Sequence, residues 1–176
     1  MNEEESRLLT ACAQFLGSLP ADTASLAEAL RDESLASDKR RPLAAALNYL
    51  FKSLDLIDDG IEGLGFLDDA FVLRIAAEQA GSGVSEAVDA LGQSAELVNE
   101  LLGAEISSRL GKYVHGLREL AVRGRSVEAI LSDSAVRDEL LADIAGWAAR
   151  YERPAFAADP KDLVTLRAFL AAKLPS

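Results

Sequence analysis

The sequence predicts an all-helical protein. Of its 176 residues, 31 are Ala and 29 are Leu, whereas Val, Ile and Thr together number 18, a balance that favours helix over sheet. Apolar positions recur three and four residues apart along most of the chain, and no run alternates as a half-buried strand does. About seven helices joined by short loops make an irregular or orthogonal bundle the simplest architecture. A chain of this length can bury its own core as a single domain, 1–176, without disulfides or metals.

Glu3 to Leu19 reads as a first amphipathic helix, with an acidic first turn and then Leu8, Leu9, Cys12, Phe15, Leu16 and Leu19 at helical spacing. Pro20 is expected to end it. Asp22 or Thr23 then caps a short second helix carrying Leu26, Leu30 and Leu35. Asp38 caps a third, through Ala46, Leu47, Leu50, Phe51 and Leu54, with Pro42 tolerated in its first turn. Between Asp55 and Asp69 the pattern breaks around Gly60, Gly63 and Gly65, and it resumes through Phe71, Val72, Ile75 and Ala76 up to Gly81. This is a helical hairpin with a tight loop.

From Val84 to Ala121 the apolar positions step by three or four, which reads as one bent helix interrupted by Gly92, Gly103, Gly111 and Gly116. Glycine in a helix interior costs about 1 kcal/mol relative to Ala. The glycines therefore imply either a break near Gly103 or the close approach of another helix. Past Gly124, Ser126 with Glu128 opens one helix, and Glu139 opens another that carries Leu140, Leu141, Ile144 and Trp147. Asp159 followed by Pro160 opens the last, through Leu163, Leu166, Phe169 and Leu170.

Charge excludes several classes of function. With 18 Lys and Arg against 29 Asp and Glu, the net charge of −11 works against nonspecific binding to nucleic acid or an anionic membrane. Met1 to Glu5 carries three acids where a secretory signal carries positive charge, and no uncharged stretch reaches the 18 or so residues a spanning helix needs. The single cysteine, Cys12, lies on an apolar face and reads as a buried core thiol. A cytoplasmic protein is the expectation. One Cys and one His, His115, leave no nucleophile–base arrangement to recover, and His115 reads as a structural residue. Trp147 reads as core. Arg109, Lys112, Arg118, Arg123 and Arg125 form a basic stretch that reads as a solvated face, with the acidic loop or a partner's acids as its other possible counterpart.

The charge is concentrated in one place. Asp55, Asp58, Asp59, Glu62, Asp68 and Asp69 fall within 15 residues that contain no Lys or Arg. The stretch Asp55-Leu56-Ile57-Asp58-Asp59-Gly60-Ile61-Glu62-Gly63-Leu64-Gly65-Phe66-Leu67-Asp68-Asp69, entered from an apolar helix and left by another, resembles the bacterial YkvA-like family, DUF1232. That family's motif has the form D-L-I-P-D-x-I-P-x-L-G-x-L-D-D, aligned here without a gap over a resemblance that spans about residues 42–80. Asp58 and Glu62 stand where the family has its two loop prolines, which removes fixed backbone angles from the turn. The resemblance implies a helical hairpin with acids at Asp55, Asp59, Asp68 and Asp69, and it carries no reaction. Membrane association, implied by relatives with a more apolar hairpin, is weakened here by Lys52, Arg74 and the added acids.

Two readings of the acids compete. In the first, Asp68 is a helix N-cap, Asp69 sits in the favourable first turn, and Asp55 and Asp59 accept loop backbone N–H groups; the protein is then a non-catalytic module that binds a protein partner or itself. In the second, Asp55, Asp59, Asp68 and Asp69 converge on Ca²⁺ or Mg²⁺, as hard cations take oxygen ligands, with phosphoester hydrolysis by a metal-activated water as the activity this permits. The spacing does not fit an EF-hand. The string Asp58, Asp59, Glu62 imitates a magnesium diphosphate motif, but Gly60 places it in a loop where the acids do not stack along a helix face. Tyr49 and the phenylalanines Phe66 and Phe71 are expected to pack beside the loop, Tyr49 with its hydroxyl near it.

Overall fold

The computed structural model describes residues 1–61 and 63–176 and is all-helical. Its elements are α1 (Glu3–Arg31), α2 (Ser37–Tyr49), α3 (Leu67–Ala80), α4 (Glu86–Leu102), α5 (Ala104–Gly116), α6 (Val127–Ser132), α7 (Ser134–Arg150) and α8 (Pro160–Lys173), with a 3₁₀ turn at Leu117–Glu119. One contiguous core draws on all eight helices. α3 lies at its centre, packed against α1, α2, α4 and α5. Every residue of α3 from Leu67 to Ala77 is buried, the pattern of a helix enclosed on all sides.

The first expected boundary is wrong. α1 runs through Pro20 to Arg31 as one helix, so Asp22 and Thr23 lie in its interior and cap nothing. Proline at position 20 cannot donate to the carbonyl of Leu16, four residues earlier. That carbonyl instead accepts the hydroxyl of Tyr151 at 2.7 Å. The orphan group that would have ended the helix is satisfied from α7's end, and the helix continues.

Other boundaries shift as well. α2 starts at Ser37 behind Ala36, so Asp38 sits in its first turn and Pro42 beyond it, and α2 stops at Tyr49. The expected long helix is two helices: Gly103 adopts φ 79° between α4 and α5, a left-handed conformation that favours glycine. Gly92 serves the other purpose anticipated for these glycines, since a Cβ there would lie 3.1 Å from the Glu78 nitrogen, where α3 and α4 pack backbone to backbone. The caps at Ser126 and Asp159, with Pro160 at the first helical position, are as expected, whereas α7 begins at Ser134, capped by Asp133, and not at Glu139.

Arginines close the C-terminal ends of four helices. Arg40 donates to the Leu30 carbonyl at the end of α1, Arg137 to Ile130 and Leu131 at the end of α6, and Arg167 to Leu101 at the end of α4. Arg109 donates to Ala171 at the end of α8. Each offers positive charge and donors to carbonyls that the helix itself leaves unpaired. Arg109 and Arg125 are therefore not part of a solvated basic face: Arg125 is buried and donates to Asp143 at 2.6 Å.

Candidate metal centre

The chain between α2 and α3, residues 50–66, is shaped by a few backbone decisions. Asp58 accepts the Gly60 N–H on its side chain at 2.8 Å and the Ile61 N–H on its carbonyl at 2.9 Å, which turns the loop. Gly65 passes so close to Asp59 that a Cβ there would lie 2.9 Å from the Asp59 carbonyl carbon, and closer still to its oxygen. Phe66 follows at φ 69°, a left-handed conformation costly for a residue with a Cβ. Its ring is held by Tyr151 at 5.2 Å and Trp147 at 6.4 Å, edge to face. Trp147 thus supports the loop rather than a ligand.

This turn delivers Leu67, Asp68 and Asp69 into the first turn of α3. Asp68 is not the N-cap, as the capping reading requires; Phe66 holds that position and makes no side-chain cap. Because α3 enters the core at once, both carboxylates are carried inward, Asp68 fully buried and Asp69 3% exposed. Asp59, on the rim of the loop, faces them. One oxygen from each of Asp59, Asp68 and Asp69 lies within 4.8 Å of the others. Asp55 stands outside this trio with one carboxylate oxygen, Oδ1, buried and unpartnered.

Tyr49, the last residue of α2, is wholly buried and donates its hydroxyl to Asp68 Oδ2 at 2.6 Å, while accepting the Leu56 N–H at 3.0 Å. The other oxygen, Asp68 Oδ1, is buried with no hydrogen-bond partner among the described residues. The only basic residue of α3, Arg74, is committed elsewhere: it pairs with Asp22 at 3.0 Å, donates to the Ala70 carbonyl and stacks over Phe15. Negative charge therefore gathers without a cationic side chain inside the trio.

The titration of the group follows. Burial first, then the charges of Asp68 and Asp59, pushes Asp55 up to about 7. Burial lifts Asp68 to about 6 against the opposing pull of the Tyr49 hydroxyl and of the Ile57 and Asp69 N–H groups. Asp69 is held well above the ordinary carboxylate range by burial and then by Asp68, Asp59 and Asp55, and Asp59 is raised by burial and by Asp58. Buried like charges of this kind persist only with protons or a cation among them.

Two clefts reach the rim. One, of about 400 Å³, runs between Asp55, Asp58, Asp59, Ile61 and, from α8, Phe169 and Lys173. The other, of about 500 Å³, lies between Asp55, Asp59, Phe51 and Arg123. Arg123 stacks over Phe51 from the turn before α6. Lys173 and Phe169 carried no signal in the sequence, because more than 100 residues separate them from the loop. Of the remaining candidates, His115 is exposed and Cys12 is buried, its thiol pushed up to about 12 by burial, which leaves it inert as a nucleophile. Glu62 lies outside the described residues.

An all-helical protein built around an enclosed acidic cluster, with the cluster at a helix–loop–helix, is the class these features define. The segment that forms it, residues 42–75, matches the family model described as a protein of unknown function, DUF1232. The match takes in α2 from Pro42, the whole loop and α3 as far as Ile75, and so contains Tyr49 and all four aspartates. No curated protein and no solved structure matches the chain.

Proposed function

We propose that this protein binds a divalent cation through Asp59, Asp68 and Asp69, with Asp55 completing the acidic rim. The observation that carries the reading is the unpartnered Asp68 Oδ1, fully buried beside two further carboxylates. Backbone N–H groups of Phe66, Ile57 and Asp69 act on Asp59 and Asp68, yet Asp68 Oδ1 keeps its lone pairs inside the protein facing like charges, an arrangement that costs free energy until a cation or proton fills it. Neighbouring ligands around a small octahedral cation lie about 3 Å apart, so modest side-chain rotation brings the three oxygens together. The two clefts open the rim of the group, at Asp55 and Asp59, to solvent.

Partner binding through the same loop is the second reading. Leu54, 79% exposed beside the 400 Å³ cleft, supports it. The other exposed large hydrophobics, Met1, Leu120 and Val164, come from different segments. No described helix is long and apolar enough to cross a membrane.

Thermal unfolding in chelator and in excess Mg²⁺, Mn²⁺ or Ca²⁺ tests the metal reading. A cation held at 100 times its dissociation constant adds about 2.7 kcal/mol, or roughly 5–11 °C for a chain of this size. Asp69→Asn is expected to abolish that shift and, by removing a buried like charge, to melt no lower than the native protein in chelator at about pH 8. No shift with any cation, together with Asp69→Asn melting lower in chelator, would return the aspartates to a structural role.

A further inference from the structure

The cation is not arbitrary, and the residue that selects it is Tyr49. Ca²⁺ takes six to eight oxygens at 2.3–2.6 Å and commonly draws two from one carboxylate, whereas Mg²⁺ takes six at 2.0–2.1 Å and keeps several waters. Which of these a carboxylate suits depends on how many of its oxygens are free.

At Asp68 one oxygen is already used. Oδ2 accepts the Tyr49 hydroxyl at 2.6 Å, the only direction open to an ionised carboxylate, while the same hydroxyl oxygen accepts the Leu56 N–H at 3.0 Å. The tyrosine has no freedom to turn away: it is wholly buried and its ring meets Tyr113 edge to face at 6.3 Å. Oδ2 has a lone pair already engaged, so the oxygen Asp68 offers a cation most readily is Oδ1, which is buried and has no hydrogen-bond partner among the described residues. Resting on the metal reading above, we infer that Tyr49 is a specificity-determining residue that disfavours two-oxygen ligation by Asp68 and so biases the site toward a small six-coordinate cation, Mg²⁺ or Mn²⁺, over Ca²⁺. Single-oxygen ligation by Asp68 suits the smaller ion, whereas the larger one gains from Oδ2 as well and must compete for it with the Tyr49 hydroxyl.

The experiment is Mn²⁺ binding to the full chain, followed by electron paramagnetic resonance, with Mg²⁺ and Ca²⁺ as competitors. In the native protein Ca²⁺ is expected to displace Mn²⁺ no more readily than Mg²⁺ does. Tyr49→Phe keeps the buried ring, frees Oδ2 and is expected to move the Ca²⁺-to-Mg²⁺ competition ratio toward Ca²⁺ by about tenfold or more. A general loosening of the core weakens both competitors alike and leaves the ratio where it was. The inference is overturned if Ca²⁺ displaces Mn²⁺ from the native protein at far lower concentration than Mg²⁺, or if folded Tyr49→Phe keeps the native ratio. Should Tyr49→Phe not fold, the native competition order decides. Absence of any Mn²⁺ binding by the native protein is the separate outcome that removes the metal reading itself.

Discussion

Gly65 shows how much of the candidate centre depends on one missing side chain. Its backbone lies against that of Asp59, and the close approach keeps Asp59 turned toward Asp68 and Asp69. The neighbouring atoms are main chain, not the mobile tip of a side chain, so a methyl group there forces the loop open. Gly65→Ala is expected to cost about 1–3 kcal/mol in denaturant unfolding, as overpacking does, and also to abolish any cation-dependent rise in melting temperature. A variant as stable as the native protein would show that the loop gives way without strain. Gly60 in the same loop meets only the flexible Asp58 carboxylate, and its replacement is expected to be milder.

For α1 the decisive element is a hydrogen bond supplied from elsewhere. Pro20 breaks the ladder and Tyr151 mends it at Leu16, 135 residues away in sequence. Tyr151→Phe keeps the ring that packs on Phe66 but leaves the Leu16 carbonyl unpartnered, at a cost of about 1–3 kcal/mol. Pro20→Ala restores the N–H that reaches this carbonyl. In the Pro20→Ala background the Tyr151→Phe substitution is expected to cost less, a coupling that a double-mutant cycle in denaturant reads directly. Strict additivity would mean that the tyrosine contributes through its ring alone. The α4–α5 junction behaves differently: Gly103 stops the helix by its own backbone conformation and needs no distant partner.

The net charge of −11 and the buried acids together set how the folded chain responds to pH. A carboxyl whose pKa is higher in the folded than in the unfolded chain makes the folded state bind the extra proton. Its stabilising contribution is complete below the ordinary value of 3.8 and is lost as pH rises through about 6 for Asp68 and about 7 for Asp55, with Asp69 shifted in the same sense. In chelator, the melting temperature is therefore expected to fall between about pH 5 and pH 8. With saturating Mg²⁺ or Mn²⁺ the fall should flatten, because the cation replaces the protons and binds tighter as they leave. Stability in chelator that stays level or rises across this window would contradict the burial of these groups.

Helix content, the caps at Ser126 and Asp159 and the concentration of acids around the loop were all legible in the residue order, because periodicity, capping and charge density are properties of neighbours along the chain. The continuity of α1 was not, since Pro20 is a stop signal unless a remote hydroxyl answers for it. Nor was the break at Gly103 separable from the close packing at Gly92, as a glycine in a helical pattern permits both. Asp55 and Asp59 in the loop and Asp68 and Asp69 at the start of the next helix each had an ordinary backbone role available to them in the sequence. That three of them meet, that Tyr49 occupies one oxygen of Asp68 and that Arg74 is drawn off to Asp22 are consequences of how α3 is enclosed by its neighbours. Local patterning specifies which segments coil and where they can end; which buried groups find partners is settled when the helices pack.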